Sequence, residues 1–199
     1  TPQRGRSLSC RLSKIIAANE PTKFEPTPDS RQRAIASGKG REYLAAMESF
    51  ATEAEIQQRW GDVSMTYAQA SDAARTVGEL QKAISLATKA VEFGQRANNP
   101  ENEVHGMLYL ASAFAFVGQP QKDREWLQKA LATLDRMNRG EIRDVTEARL
   151  YLSLGRNYLR QRETQPAIEY LARSVALYDA HLSFLKSLAN SPRTNLQSD

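Results

Sequence analysis

Three arginines, Arg149, Arg156 and Arg160, follow one another at offsets of seven and four residues. Any helix that contains them carries them on one face. Guanidinium groups in such a row can grip carboxylates through parallel hydrogen bonds, whereas a plain solvated basic stripe would bind nothing in particular. Other reactive residue types are scarce. The two histidines, His105 and His181, have neither a cysteine nor another histidine at metal-ligand spacing. No metal site is therefore expected, and His105 reads as a surface or groove residue at the start of a helix. Cys10 is the only cysteine and cannot form an internal disulfide. Gly38-Lys39-Gly40 lacks the further glycines and the hydroxyl residue of a phosphate loop, and no serine sits in a nucleophile elbow. Neither catalysis nor a cofactor is expected.

The elements that would position the arginine row are amphipathic helices. Within residues 147–179, Leu150, Tyr151, Leu154, Tyr158 and Leu159 form one apolar stripe at helical spacing. Ala167, Ile168, Leu171, Val175 and Tyr178 form a second. The polar link 161–165 joins them, with Pro166 at the start of the second run, where a missing N–H is harmless. A link this short makes an antiparallel hairpin. Upstream, residues 41–60 give a helix with Tyr43, Leu44, Met47, Phe50, Ala51, Ala54 and Ile56 on its apolar face, ended by Gly61-Asp62. A hairpin over 63–97 turns at Gly78, and a breaker follows at Asn98-Asn99-Pro100. The next, over 103–137, turns at Gly118-Gln119-Pro120, and 138–144 link it to the last. No run alternates as a strand would, and no apolar run reaches the roughly 18 residues of a membrane span.

Tyr151, Leu154, Gly155 and Tyr158, followed by Ala167 and Leu171, resemble a tetratricopeptide repeat, with Tyr in the place of Trp and Leu in the place of Phe. Aligned on the small residue of each first helix (Ser71, Ala111, Gly155), the units are offset by 40 and 44 residues, longer than the basic repeat. The resemblance implies an all-α fold, a right-handed superhelical array of antiparallel helix hairpins (an α-solenoid). It also implies a non-catalytic scaffold or adaptor that binds a protein or peptide in its concave groove. Side chains of the first helices that do not pack the hairpin would line that groove: Met65, Gln69, Asp72 and Thr76, then His105, Tyr109, Ser112 and Phe116, then Arg149, Ser153, Arg156 and Arg160. The expected partner-binding set is Gln69, Asp72, Tyr109, Phe116, Arg149, Arg156 and Arg160. Arg136, on a second helix, would face outward and take no part. Some members hold a C-terminal dicarboxylate; of the aligned positions Ala68, Asp72, Tyr109, Arg149 and Ser153, only Arg149 suits that ligand.

The chain divides into a basic, Pro-containing arm (1–28), a degenerate first repeat (29–62), three hairpins with a C-terminal helical extension or cap (63–189) and a disordered tail (190–199). Net charge is +4, but residues 1–41 hold nine Lys and Arg against three acids. The arm is Arg- and Ser-rich and acid-poor through residue 19, as in organelle transit peptides, but it reads rather as a flexible leader or inter-domain linker, dispensable for folding. It has no aromatic residue before Phe24, so specific nucleic-acid binding is not expected. A soluble protein of the cytoplasm or an organelle interior fits these features. The alternative function is a regulatory or sensor module of a larger protein whose effector domain lies elsewhere.

Overall fold

The computed structural model describes residues 28–190. The basic arm up to residue 27 and the tail from 191 lie outside the described residues. Among those described, the chain forms eight α-helices: α1 (Pro28–Ala36), α2 (Gly40–Ile56), α3 (Trp60–Thr76), α4 (Leu80–Arg96), α5 (Pro100–Phe116), α6 (Pro120–Thr133), α7 (Glu141–Arg160) and α8 (Thr164–Asn190). A 3₁₀ turn (Leu134–Arg136) follows α6. Consecutive helices pack as antiparallel hairpins, and the first helices α3 and α5 also meet each other. The fold is all-α and built of sequential hairpins, as the repeat pattern implies.

One turn recurs along the chain. Its middle residue takes a left-handed backbone: Gly38 (φ 72°), Gln58 (56°), Gly78 (84°), Asn98 (49°), Gly118 (73°) and Arg162 (62°). The next N–H reaches back five residues: Lys39 to Ala34 O (2.7 Å), Arg59 to Ala54 O (3.0 Å), Glu79 to Ala74 O (2.8 Å), Asn99 to Gly94 O (3.2 Å), Gln119 to Phe114 O (2.9 Å) and Glu163 to Tyr158 O (3.0 Å). This is the Schellman closure, which satisfies helix-end carbonyls while reversing the chain. The following helix starts at once. At Asn99 the side-chain Oδ1 accepts from the N–H of Glu101 (3.0 Å) and Asn102 (3.2 Å), ahead of Pro100 at the first helical position.

Several boundaries differ from the sequence reading. Gly61-Asp62 does not end the second helix: α2 stops at Ile56, and Trp60 opens α3. Gln58 supplies the left-handed turn without glycine, and Trp60 stacks on Phe93 of α4 at 5.8 Å beneath the Arg96 guanidinium. The last helix does not fold back as a cap. It runs unbroken to Asn190, and its added length lies along an α7 that is itself longer, with His181 Nδ1 3.5 Å from Glu141 Oε1. Leu159, Ile168 and Val175, counted to the packed stripes, are more than half exposed. They sit on the side of the last hairpin against which no further helix packs among the described residues, so the apolar stripe is wider than the buried one. Ile56, at the end of α2, is exposed as well.

The core forms two connected clusters. One is built on Leu44, Met47, Val63, Ala74 and Ala83, the other on Leu110, Leu127, Leu134, Leu150 and Leu154. Small residues set how closely helices approach. A Cβ added at Gly106 of α5 would stand 2.7 Å from the backbone nitrogen of Val91 and 2.9 Å from the carbonyl carbon of Ala90. At Gly155 of α7 the nearest atoms are instead those of a side chain, Leu171 Cγ (2.7 Å) and Cδ2 (2.8 Å), with the Ala167 carbonyl oxygen farther off at 3.3 Å. Gly106→Ala must move one helix against another. It should cost roughly 1–3 kcal/mol in urea unfolding, and Gly155→Ala distinctly less. Equal losses would contradict this placement.

Candidate functional site

A cavity of about 160 Å³ lies between α5, α6 and α7. Helix α5 supplies Leu108, Ser112, Ala115 and Phe116, and α7 supplies Ser153, Arg156 and Arg160. Both sets follow helical spacing, so each falls on one face of its helix. Asp123 and Leu127 of α6 close the hollow. The α6–α7 connection is the one that departs from the common turn, with the 3₁₀ segment and residues 137–140. Here α6 and α7 meet over a narrower contact than the regular neighbours α4 and α5.

The charges around the cavity are organised by Asp123, which is 2% exposed. Its Oδ2 accepts from Asn157 Nδ2 and from Arg160 Nη2, each at 2.7 Å. Burial pushes the Asp123 carboxyl above its ordinary range, while the Asn157 hydrogen bond and the Arg160 and Arg124 guanidinium groups pull it down. Asn157 is fully buried, donates also to Pro120 O (2.8 Å) and accepts from Arg124 Nε (3.0 Å). Arg124 in turn pairs with Glu163 and lies 4.0 Å from the Tyr158 ring centre. Helices α6 and α7 and the start of α8 are thus tied together, and Arg160 is held in place while about half its side chain stays exposed. Arg156 is exposed and has no ion-pair partner among the described residues. The Phe116 ring is 57% exposed, and the Arg75 guanidinium of α3 sits 4.3 Å from its centre, fixed by Asp72.

Of the residues expected to form the groove, Ser112, Phe116, Ser153, Arg156 and Arg160 line this cavity together. The others do not. Arg149 turns instead to His105, with Nη1 3.3 Å from Nε2. Tyr109 is half-buried and packs against both core clusters. Asp72 is buried and neutralised by Arg75, and Gln69 is half-buried on α3. Arg136, in the 3₁₀ turn, lies outside this cavity, and its Nη1 binds the carboxylate of the buried Glu103 at 2.7 Å. Sequence reasoning missed Asp123, Asn157, Arg124 and Arg75. Asp123 is an acid in a first helical turn with no sequence pattern to mark it, and only the fold brings it to Arg160. Among the described residues, no group of three or more His, Cys, Asp and Glu is placed to hold a metal ion, and no helix is long and apolar enough to cross a membrane.

Solved structures with the same architecture place this arrangement in context. A variant of a Podosopora anserina protein, described as a kinesin light chain with nearly identical TPR-like repeats, superposes with a TM-score of 0.59 at 19% identity, covering 89% of this chain and 86% of that one. BtubC (BKLC) from P. vanneervenii gives 0.64 at 13% identity, covering 88% of this chain and 73% of its own. No protein-family model and no curated protein matches the sequence. The chain has the fold of TPR-like repeat proteins.

His105 generates a pH prediction. Burial, reinforced by the Arg149 charge, lowers its pKa from 6.5 to about 4. Arg149 donates to Nε2, so the neutral ring carries its proton on Nδ1, which is buried without a partner. In the unfolded chain the ring takes up a second proton and becomes charged near pH 6.5, in the folded chain only near 4. The resulting stability is complete above the higher value and is lost as pH falls through that window. Between pH 7 and pH 5, wild type should lose roughly 1–2 kcal/mol more than His105→Gln in urea unfolding. Parallel losses would show that His105 is solvated.

Proposed function

We propose that this chain is a non-catalytic protein-interaction module that holds a peptide segment across α5 and α7. An acidic side chain of the peptide meets Arg156 and Arg160, and an apolar one lies on Phe116. Gln69, Asp72, Tyr109 and Arg149 flank this anchor along α3, α5 and α7. The observation that carries the reading is the meeting of an exposed aromatic ring and two exposed guanidinium groups in one cavity, one guanidinium lacking a carboxylate partner among the described residues. Aromatic and arginine side chains are the commonest interface anchors. An arginine contributes little where its contact stays solvated, and Arg156 contributes because the bound segment covers its carboxylate contact in the cavity. Arg160 differs, because the buried Asp123 has already fixed its fork and less side-chain freedom is lost when a ligand arrives. The TPR-like fold supports the assignment in general terms, since its stacked hairpins present extended surfaces to other proteins.

A displayed peptide library selected on the chain should enrich sequences that pair Asp or Glu with a large apolar residue. For a selected peptide, Arg156→Ala should weaken binding by roughly 1–3 kcal/mol. Lys129→Ala should leave it unchanged, because that side chain lies over Trp126 on a second helix, away from the cavity. Indistinguishable effects of the two substitutions would place binding elsewhere.

A further inference from the structure

We propose that Asp123 sets the charge selectivity of the cavity, so that it takes a singly charged carboxylate side chain and rejects a phosphorylated one. This inference rests on the reading of the cavity as a peptide anchor. The lining carries two positive groups, Arg156 and Arg160, and one negative, Asp123. The charged neighbours outside the lining are paired with each other: Arg124 with Glu163, and Arg75 with Asp72. One positive charge is left over. A carboxylate cancels it. A phosphate dianion overshoots it and leaves excess negative charge beside a carboxylate that is itself shut off from water, where screening is weakest.

The hydrogen-bond inventory points the same way. Arg160 already gives one of its N–H groups to Asp123, so among the described lining residues Arg156 is the arginine with its whole fork open. One open fork matches the two oxygens of a carboxylate, whereas a phosphate brings a third oxygen and a second negative charge that this lining leaves unbalanced. Volume does not discriminate, because glutamate and phosphoserine side chains are of similar size beside a hollow of about 160 Å³. Charge does. Asp123 lines the hollow with almost no exposed surface and with its Oδ2 taken up by Asn157 and Arg160, so it acts through Arg160 and through its own field.

The test uses the full chain and three capped peptides that share a flanking Leu and Phe and differ only at the centre: Glu, phosphoserine or Gln. Binding is read by fluorescence anisotropy at pH 7.5. Wild type should bind the Glu peptide at least tenfold more tightly than either of the others. Asp123→Asn removes the negative charge and should shift the Glu-to-phosphoserine ratio at least tenfold towards phosphoserine. A wild-type protein that binds phosphoserine as tightly as Glu, with Gln weaker than both, overturns the selectivity while leaving the anchor intact. Equal binding of all three peptides, or of none, overturns the anchor and this inference with it. Circular dichroism melting checks the fold of Asp123→Asn, and if that variant does not fold, the wild-type comparison still decides.

Discussion

The recurrent left-handed turn is the constraint on which the rest of this structure depends. Each time, one residue crosses to positive φ and the next N–H closes back onto the preceding helix. From Gly38 to Gly118 these residues fall every 20 positions, so the helices between them have equal length and alternate in direction. A fixed helix length keeps side chains of successive first helices in register. Ser112 and Phe116 on α5 share a space with Ser153 and Arg160 on α7, which lies beyond this regular run. Where the turn is replaced by a 3₁₀ segment and an extended link, the register is interrupted and the packing of α6 on α7 narrows. The cavity lies at that interruption.

Polar rather than apolar contacts fasten the interruption. At the regular interface between α4 and α5, Gly94 and Gly106 let the backbones themselves touch. Across α6 and α7, Asp123, Asn157, Arg124, Arg160 and Glu163 form a hydrogen-bonded chain instead. Burying a carboxylate is costly, and a network of this kind adds little net stability over a well-packed apolar contact. What it supplies is position: it points Arg160 at the cavity and holds it there. Asp72 does the same for Arg75 on the other side of Phe116. Arg160 in the cavity lining and Arg75 over the Phe116 ring are thus each oriented by a buried acid.

Much of the fold was legible because helical periodicity is a local signal. The hairpins, the glycine turns at Gly78 and Gly118 and the packing role of Gly155 follow from it. Gln58 and Arg162 were not legible as turn residues, since neither type favours positive φ and only the flanking helices hold them there. That blindness moved Trp60 to the wrong side of a helix boundary. The contact of Gly94 with Glu103 and of Gly106 with Val91 was hidden for a different reason, because it joins two helices whose crossing no single-helix pattern records. Burial was overread in the last hairpin: Ile168 and Val175 keep an apolar spacing but face away from α7. In the candidate site, the arginine row was visible as a face of one helix. What each arginine meets was not, and the structure divides the row between His105 and the Asp123 cavity.

The most direct measurement is residue-resolved mapping of backbone amide shifts by NMR as a capped peptide carrying Glu beside Leu and Phe is titrated onto the chain. Saturable shifts clustered at residues 112–116 and 153–160 are expected, with Arg124 and Asn157 responding because they share hydrogen bonds with the site. Shifts confined to the outward faces of α4 and α6, or to the exposed apolar side of α8, would contradict the placement of binding between the first helices.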